Sequence, residues 1–151
     1  MDTVGIALLG CGFVAEIHAD CYRRFVREAR VEVAVGRDAG RTRAFAERLG
    51  IPRWLTDYRQ ALALDEVQIA DICLPNYLHA EATVSAAAAG KHVICEKPLC
   101  LNLREADQMT EACRRAGVHL MYAEELCFAP KYVRAKTLVD EGSLGQVYLV
   151  K

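Results

Sequence analysis

VGIALLGCGFVA, Val4 to Ala15, decides how the rest of the chain is read. Its first half, Val4 to Leu9, is an unbroken apolar run of strand length, and its second half, Gly10 to Ala15, fits the spacing G-x-G-x-x-G/A. A strand that breaks at a glycine and passes directly into a helix brings the first amides of that helix to the strand's end. Gly10 permits the tight turn, Gly12 lets a pyrophosphate approach the backbone, and Ala15 keeps helix and strand closely packed. Alone the pattern is weak, and a turn of small residues with no ligand satisfies it equally. With a strand before it, a helix after it and another strand beyond, it predicts dinucleotide binding.

Outward from this turn, Val31 to Val35, Ile69 to Leu74, His92 to Cys95 and Val118 to Tyr122 read as further strands alternating with helical patterns. The runs are nearly continuous in apolar residues, as strands covered on both faces must be, so the expected fold is α/β, a Rossmann-type doubly wound parallel sheet. Val14, Ile17, Cys21 and Phe25 recur at helical spacing and predict the apolar stripe of the first helix. The helix in HAEATVSAAAAG stops at Gly90; in NLREADQMTEACRRAG, Asn102 caps, Glu105 reaches back and Gly117 closes the far end. Residues 1–122 are expected to form the dinucleotide-binding domain. Residues 123–151 then read as a linker, a helix from about Pro130 to Glu141 and an alternating strand QVYLV, the opening of a truncated second α/β domain. Such a terminal strand has unpaired backbone groups and is expected, in this chain alone, to pair with a neighbouring chain or be disordered.

The 151 residues suffice for one ordinary core, and 53% hydrophobic content with a formal net charge of -1 describes a globular chain with no bias toward nucleic acid. No apolar stretch approaches the roughly 20 residues of a membrane span. The N-terminus has an acidic rather than basic leader and reads as a first strand, not a signal peptide. The seven cysteines include no C-x-x-C pair. They are expected to be reduced core residues of a cytoplasmic protein, with no metal site.

Three more stretches carry candidate chemistry. VAVGRD ends the second strand with Gly36 and Arg37, where an acidic residue would grip a ribose 2′-hydroxyl. With no side chain at Gly36 to repel an anion, Arg37 is placed to clamp a 2′-phosphate, which favours NADP over NAD. Asp38 lies close enough to take the ribose instead, and both charges also suit a solvated loop. LPNYLH, Leu74 to His79, stands at the carboxyl end of another strand, where ligands bind in open α/β sheets. His79 either faces that crevice or packs the helix start. VICEKPL ends a strand in Glu96, Lys97 and Pro98. Neighbouring strand residues point to opposite faces, so both charges face one side only if the backbone bends, as Pro98 favours. A partly buried lysine there is expected to lose some preference for its charged form.

Together GCGFVA, LPNYLHAE, CEKPL and the closing APKYVRAKTLVDEGSLGQV resemble the Gfo/Idh/MocA oxidoreductases, the glucose–fructose oxidoreductase and inositol dehydrogenase group. The resemblance implies a Rossmann domain followed by a larger α/β domain that holds much of the substrate and forms a homo-oligomer. It also implies NAD(P)-dependent hydride transfer to or from a hydroxyl-bearing carbon of a small sugar or polyol. On this resemblance Gly10, Gly12, Phe13 and Val14 lie along the pyrophosphate, Gly36 and Arg37 at the adenosine end, and Leu74, Asn76 and His79 on the nicotinamide half. Glu96 and Lys97 lie by the nicotinamide ribose, with Lys97 catalytic or substrate-orienting and the Lys97-Pro98 bond cis. Two departures stand out. Cys127-Phe128 occupies the place of the usual Arg-Phe or Arg-Tyr, and none of His18, His79, His92 or His119 has an Asp four residues before it. The chain is therefore expected to lack the proton-transfer group and to be inactive alone. The alternative is a nucleotide-binding or interaction module without catalysis.

Overall fold

Six strands pair side by side, all parallel, in the order β3-β2-β1-β4-β5-β6. The structure is a computed structural model and describes residues 3–149. The strands are β1 Val4–Leu9, β2 Ala29–Val35, β3 Arg53–Leu55, β4 Ile69–Ile72, β5 His92–Glu96 and β6 Leu120–Ala123. Between and after them run α1 Phe13–Phe25, α2 Ala39–Leu49, α3 Tyr58–Leu62, α4 His79–Ala88, α5 Leu103–Ala116 and α6 Pro130–Asp140. The expected Rossmann-type α/β fold is present, with β1 at the centre.

Alternation along β1 divides the core into two layers. Ala7 and Leu9 join Leu62, Ala82, Ala86, Met109 and Cys113 of α3, α4 and α5 on one face, while Leu8 joins Ala15, Ala19, Phe45 and Ala46 of α1 and α2 on the other. The register brings Leu9 beside both Val35 and Ile72, Ile72 beside Cys95, and Cys95 beside Tyr122. The carboxyl ends of five neighbouring strands therefore share one edge, which is where side chains far apart in sequence meet.

Local signals hold at the helix ends. Asn102 accepts a hydrogen bond from Glu105 N at 3.0 Å, and Gly117 ends α5 at φ +67°. The Glu105 carboxylate reaches one residue further back than expected, to Leu101 N at 2.9 Å. β3 and α3 escape the apolar pattern because they are only 3 and 5 residues long and sit at the sheet's margin.

The stripe on α1 is a correction. Val14, Ile17, Cys21 and Phe25 are all exposed, and the helix packs on the sheet through Ala15 and Ala19. Small residues permit the close approach of helix and strand, so the large apolar ones turn outward. Of the expected terminal strand, Gln146 to Leu149 adopt no strand among the described residues, and Val150 and Lys151 lie outside them. A strand needs a partner for its backbone groups, and a strand from a neighbouring chain is what the sequence leads one to expect there. Helix α6 forms with Pro130 in its first turn, and no residue of it is buried.

Candidate functional site

The glycine turn is built differently at its two ends. Gly10 has φ +123°, and a Cβ there would stand 2.4 Å from the carbonyl oxygen of Cys73, so both backbone conformation and close approach to β4 require glycine. Gly12 is the N-cap of α1, contributes no side-chain cap, and a Cβ there would meet nothing within 4 Å. The packing of the fold does not need glycine at this position, and its absent side chain leaves the turn open to a ligand. The amides of the first turn, at Phe13 and Val14, are capped by no side chain and suit an anion. This turn fits a dinucleotide's pyrophosphate.

At the end of β2, a Cβ on Gly36 would lie 2.5 Å from Thr42 Oγ1 and 2.9 Å from Cys11 Sγ. A side chain here requires the Thr42 hydroxyl and the Cys11 thiol to shift. Arg37 is exposed and, among the described residues, makes no ion pair or side-chain hydrogen bond, whereas Asp38 caps α2 by accepting from Arg41 N at 2.8 Å. Of the two neighbouring charges, the acid is occupied by the fold and the base is not.

Of the two alternatives for His79, the structure takes the second: the residue packs at the start of α4 and does not line the cavity between α1 and the end of β5. It is 1% exposed, with Nε2 2.8 Å from Leu74 O and Nδ1 3.1 and 3.2 Å from Pro98 O and Leu99 O. Backbone carbonyls surround both ring nitrogens, so the ring ties the turn after β4 to the turn after β5. Asn76 also donates to Pro98 O. Leu74 packs against the larger core layer. The Lys97-Pro98 peptide is cis.

Between the N-terminal half of α1 and the end of β5 lies a cavity of about 700 Å³. Phe13, Val14, Ile17 and His18 form one wall, Glu96 and Lys97 another, and Glu124, Glu125 and Phe128 the far side. The outward stripe of α1 thus lines a cavity. Glu96 and Lys97 both reach it although adjacent, because β5 ends at Glu96 and Lys97 follows it. Lys97 Nζ lies 3.3 Å from Glu125 Oε1 with its side chain 43% exposed. The hydrogen bond that Lys97 donates to Glu125 raises the Lys97 pKa, opposite to the expected direction, because an acidic partner and solvent outweigh burial.

Sequence reasoning missed what stands beneath Lys97. His18 Nδ1 lies 2.9 Å from Asp71 Oδ2, and its Nε2 lies 3.2 Å from Glu96 Oε1. Asp71 is fully buried on β4 and also accepts from Tyr22 Oη at 2.8 Å. Its hydrogen bond raises the His18 pKa, while burial lifts those of the Tyr22 hydroxyl and the adjoining Cys73 thiol. His18, Asp71 and Cys73 hold donor atoms within 4.8 Å of one another, but mutual hydrogen bonds satisfy these atoms and account for their proximity. One signal was available: an acid, Asp71, inside an otherwise apolar strand.

The glycine turn and Lys97 meet where Phe13 and Lys97 line one cavity, and the sequence over residues 4–124 matches a family model described as an oxidoreductase family with an NAD-binding Rossmann fold. The chain belongs to the Gfo/Idh/MocA family. Its sequence is 30% identical to levoglucosan dehydrogenase of Pseudarthrobacter phenanthrenivorans, over 97% of this chain and 40% of that protein. It is 40% identical to D-xylose 1-dehydrogenase (NADP(+)) 2 of Haloferax volcanii, over 82% of this chain and 38% of that protein. A solved structure of levoglucosan dehydrogenase in complex with NADH and levoglucosan superposes with a TM-score of 0.90 at 29% identity, covering 96% of this chain and 41% of that one. The chain thus spans about 40% of the length of these Gfo/Idh/MocA relatives. Cys127 donates its thiol to Glu124 O, and Phe128 lines the cavity.

Proposed function

We propose that this chain is the coenzyme-binding part of an NADP-preferring dehydrogenase acting on a hydroxyl-bearing carbon of a sugar or polyol. The observation that carries this reading is that Phe13, at the phosphate turn, and Lys97, some eighty positions later, line the same cavity. The names of its relatives, two sugar dehydrogenases and one structure containing NADH, support the reaction class and the substrate class.

When bound, the nicotinamide supplies the acceptor of a hydride, so the substrate's C–H bond breaks, a C=O bond forms and the hydroxyl proton leaves. Gly12 and the first amides of α1 hold the pyrophosphate, and Arg37 holds the 2′-phosphate while Asp38 stays with α2. Lys97, kept cationic by Glu125, orients the substrate hydroxyl and stabilises negative charge on its oxygen rather than taking its proton. The acceptor of that proton is assigned to a substrate domain toward which residues 123–151 lead. The unburied face of α6 and the 40% coverage of the relatives support this division.

The test is titration with NADPH and NADH, followed by coenzyme fluorescence. NADPH binding tighter than NADH supports the proposal, equal affinities remove the NADP preference, and binding of neither removes the coenzyme role.

A further inference from the structure

The His18 network is more than the proposed reaction asks of the cavity floor, and its geometry has a direction. Asp71, with no exposure, holds His18 Nδ1 between its two oxygens at 2.9 and 3.1 Å. The opposite nitrogen meets Glu96 Oε1, and Glu96 Oε2 accepts from Lys97 N at 2.8 Å. The carboxylate at the end of β5 is therefore gripped on both oxygens, one by backbone and one by His18.

We propose that His18 is a positioning residue: as an imidazolium bridging Asp71 and Glu96, it fixes the Glu96 carboxylate against the nicotinamide half of the coenzyme, and its deprotonation loosens that grip. The inference rests on the coenzyme reading above.

The argument is one of hydrogen inventory. A neutral imidazole carries one N–H, and the fully buried Asp71 keeps it at Nδ1. The bare lone pair at Nε2 then faces a carboxylate oxygen at 3.2 Å, which is repulsive. Only the doubly protonated ring bonds to both acids. The other titratable groups around it are Tyr22 and Cys21 on α1, Cys73 after β4, Lys97 after β5, and Glu124 and Glu125 after β6. Tyr22 and Cys73 keep their protons because burial raises both pKa values, Lys97 is paired with Glu125, and Glu124 accepts from Leu126 N, so His18 is the group whose proton sets the bridge between Asp71 and Glu96.

The test uses two probes, NADPH and 2′-phospho-ADP-ribose, which lacks the nicotinamide. Their affinity ratio cancels effects on the adenosine half. In the unsubstituted chain the ratio should fall about tenfold from about pH 6 to pH 9. In His18→Gln it should be flat and low while the fragment still binds, and Glu96→Gln should behave likewise. A ratio that is flat in the unsubstituted chain, or a slope that survives His18→Gln, overturns the proposal while fragment binding leaves the coenzyme reading intact. If His18→Gln does not fold, the slope of the unsubstituted chain decides. A chain that binds neither probe at any pH overturns the coenzyme reading and this inference with it.

Discussion

His18 and Asp71, 53 residues apart, are joined at 2.9 Å between Nδ1 and Oδ2, and this pair anchors the polar floor beneath Lys97. A histidine whose folded pKa is raised stabilises the fold fully below its unfolded value, and that contribution disappears as pH rises through the folded value. The hydrogen bond that His18 donates to Asp71 raises the His18 pKa above 6.5, so the loss begins above pH 6.5. Urea denaturation at acid and alkaline pH should show this loss in the unsubstituted chain and not in His18→Gln.

The two glycines of the turn should separate folding from binding. Gly12→Ala should melt near the unsubstituted temperature, since its Cβ meets no atom within 4 Å, yet bind NADPH roughly tenfold more weakly. Gly10→Ala should lose about 2 kcal/mol or more of stability, from its positive φ and the Cys73 carbonyl at 2.4 Å. Equal melting temperatures for the two variants would contradict this division.

Arg37→Ala should weaken NADPH by about tenfold or more and leave NADH nearly unchanged, as expected on removing one charge-assisted contact to a phosphate. Equal losses for both coenzymes would show that Arg37 does not read the 2′-phosphate.

Lys97→Met should leave NADPH affinity largely intact and lower turnover of the full-length enzyme by about 10² or more. A change confined to coenzyme affinity would place Lys97 in binding rather than in substrate orientation.

Asn102→Ala should cost about 1 kcal/mol through loss of its bond to Glu105 N, with coenzyme binding unaltered. Chemical denaturation at a single pH measures it.

What was legible in sequence was local. The run Val4 to Leu9 and the turn after it follow from apolar continuity and glycine spacing, and the cap at Asn102 follows from four neighbouring residues. His18 with Asp71 was not legible, because the partners come from different elements and meet only through the register that sets Leu9 beside Ile72. The outward face of α1 was misread for a related reason. Periodicity shows that Val14, Ile17 and Cys21 share a side, but not whether that side meets the sheet or a cavity. Arg37 was readable as a candidate; that Asp38 is occupied at Arg41 N is visible only in three dimensions.

The contrast between Gly36 and Arg37 makes any evolutionary exchange of coenzyme lopsided. Residue 37 stands clear of the packed interior and is replaceable in a single step, whereas a side chain at 36 requires Thr42 and Cys11 to give way. On the proposed reading, losing the arginine is the easier change and gaining a carboxylate at the strand tip the harder one.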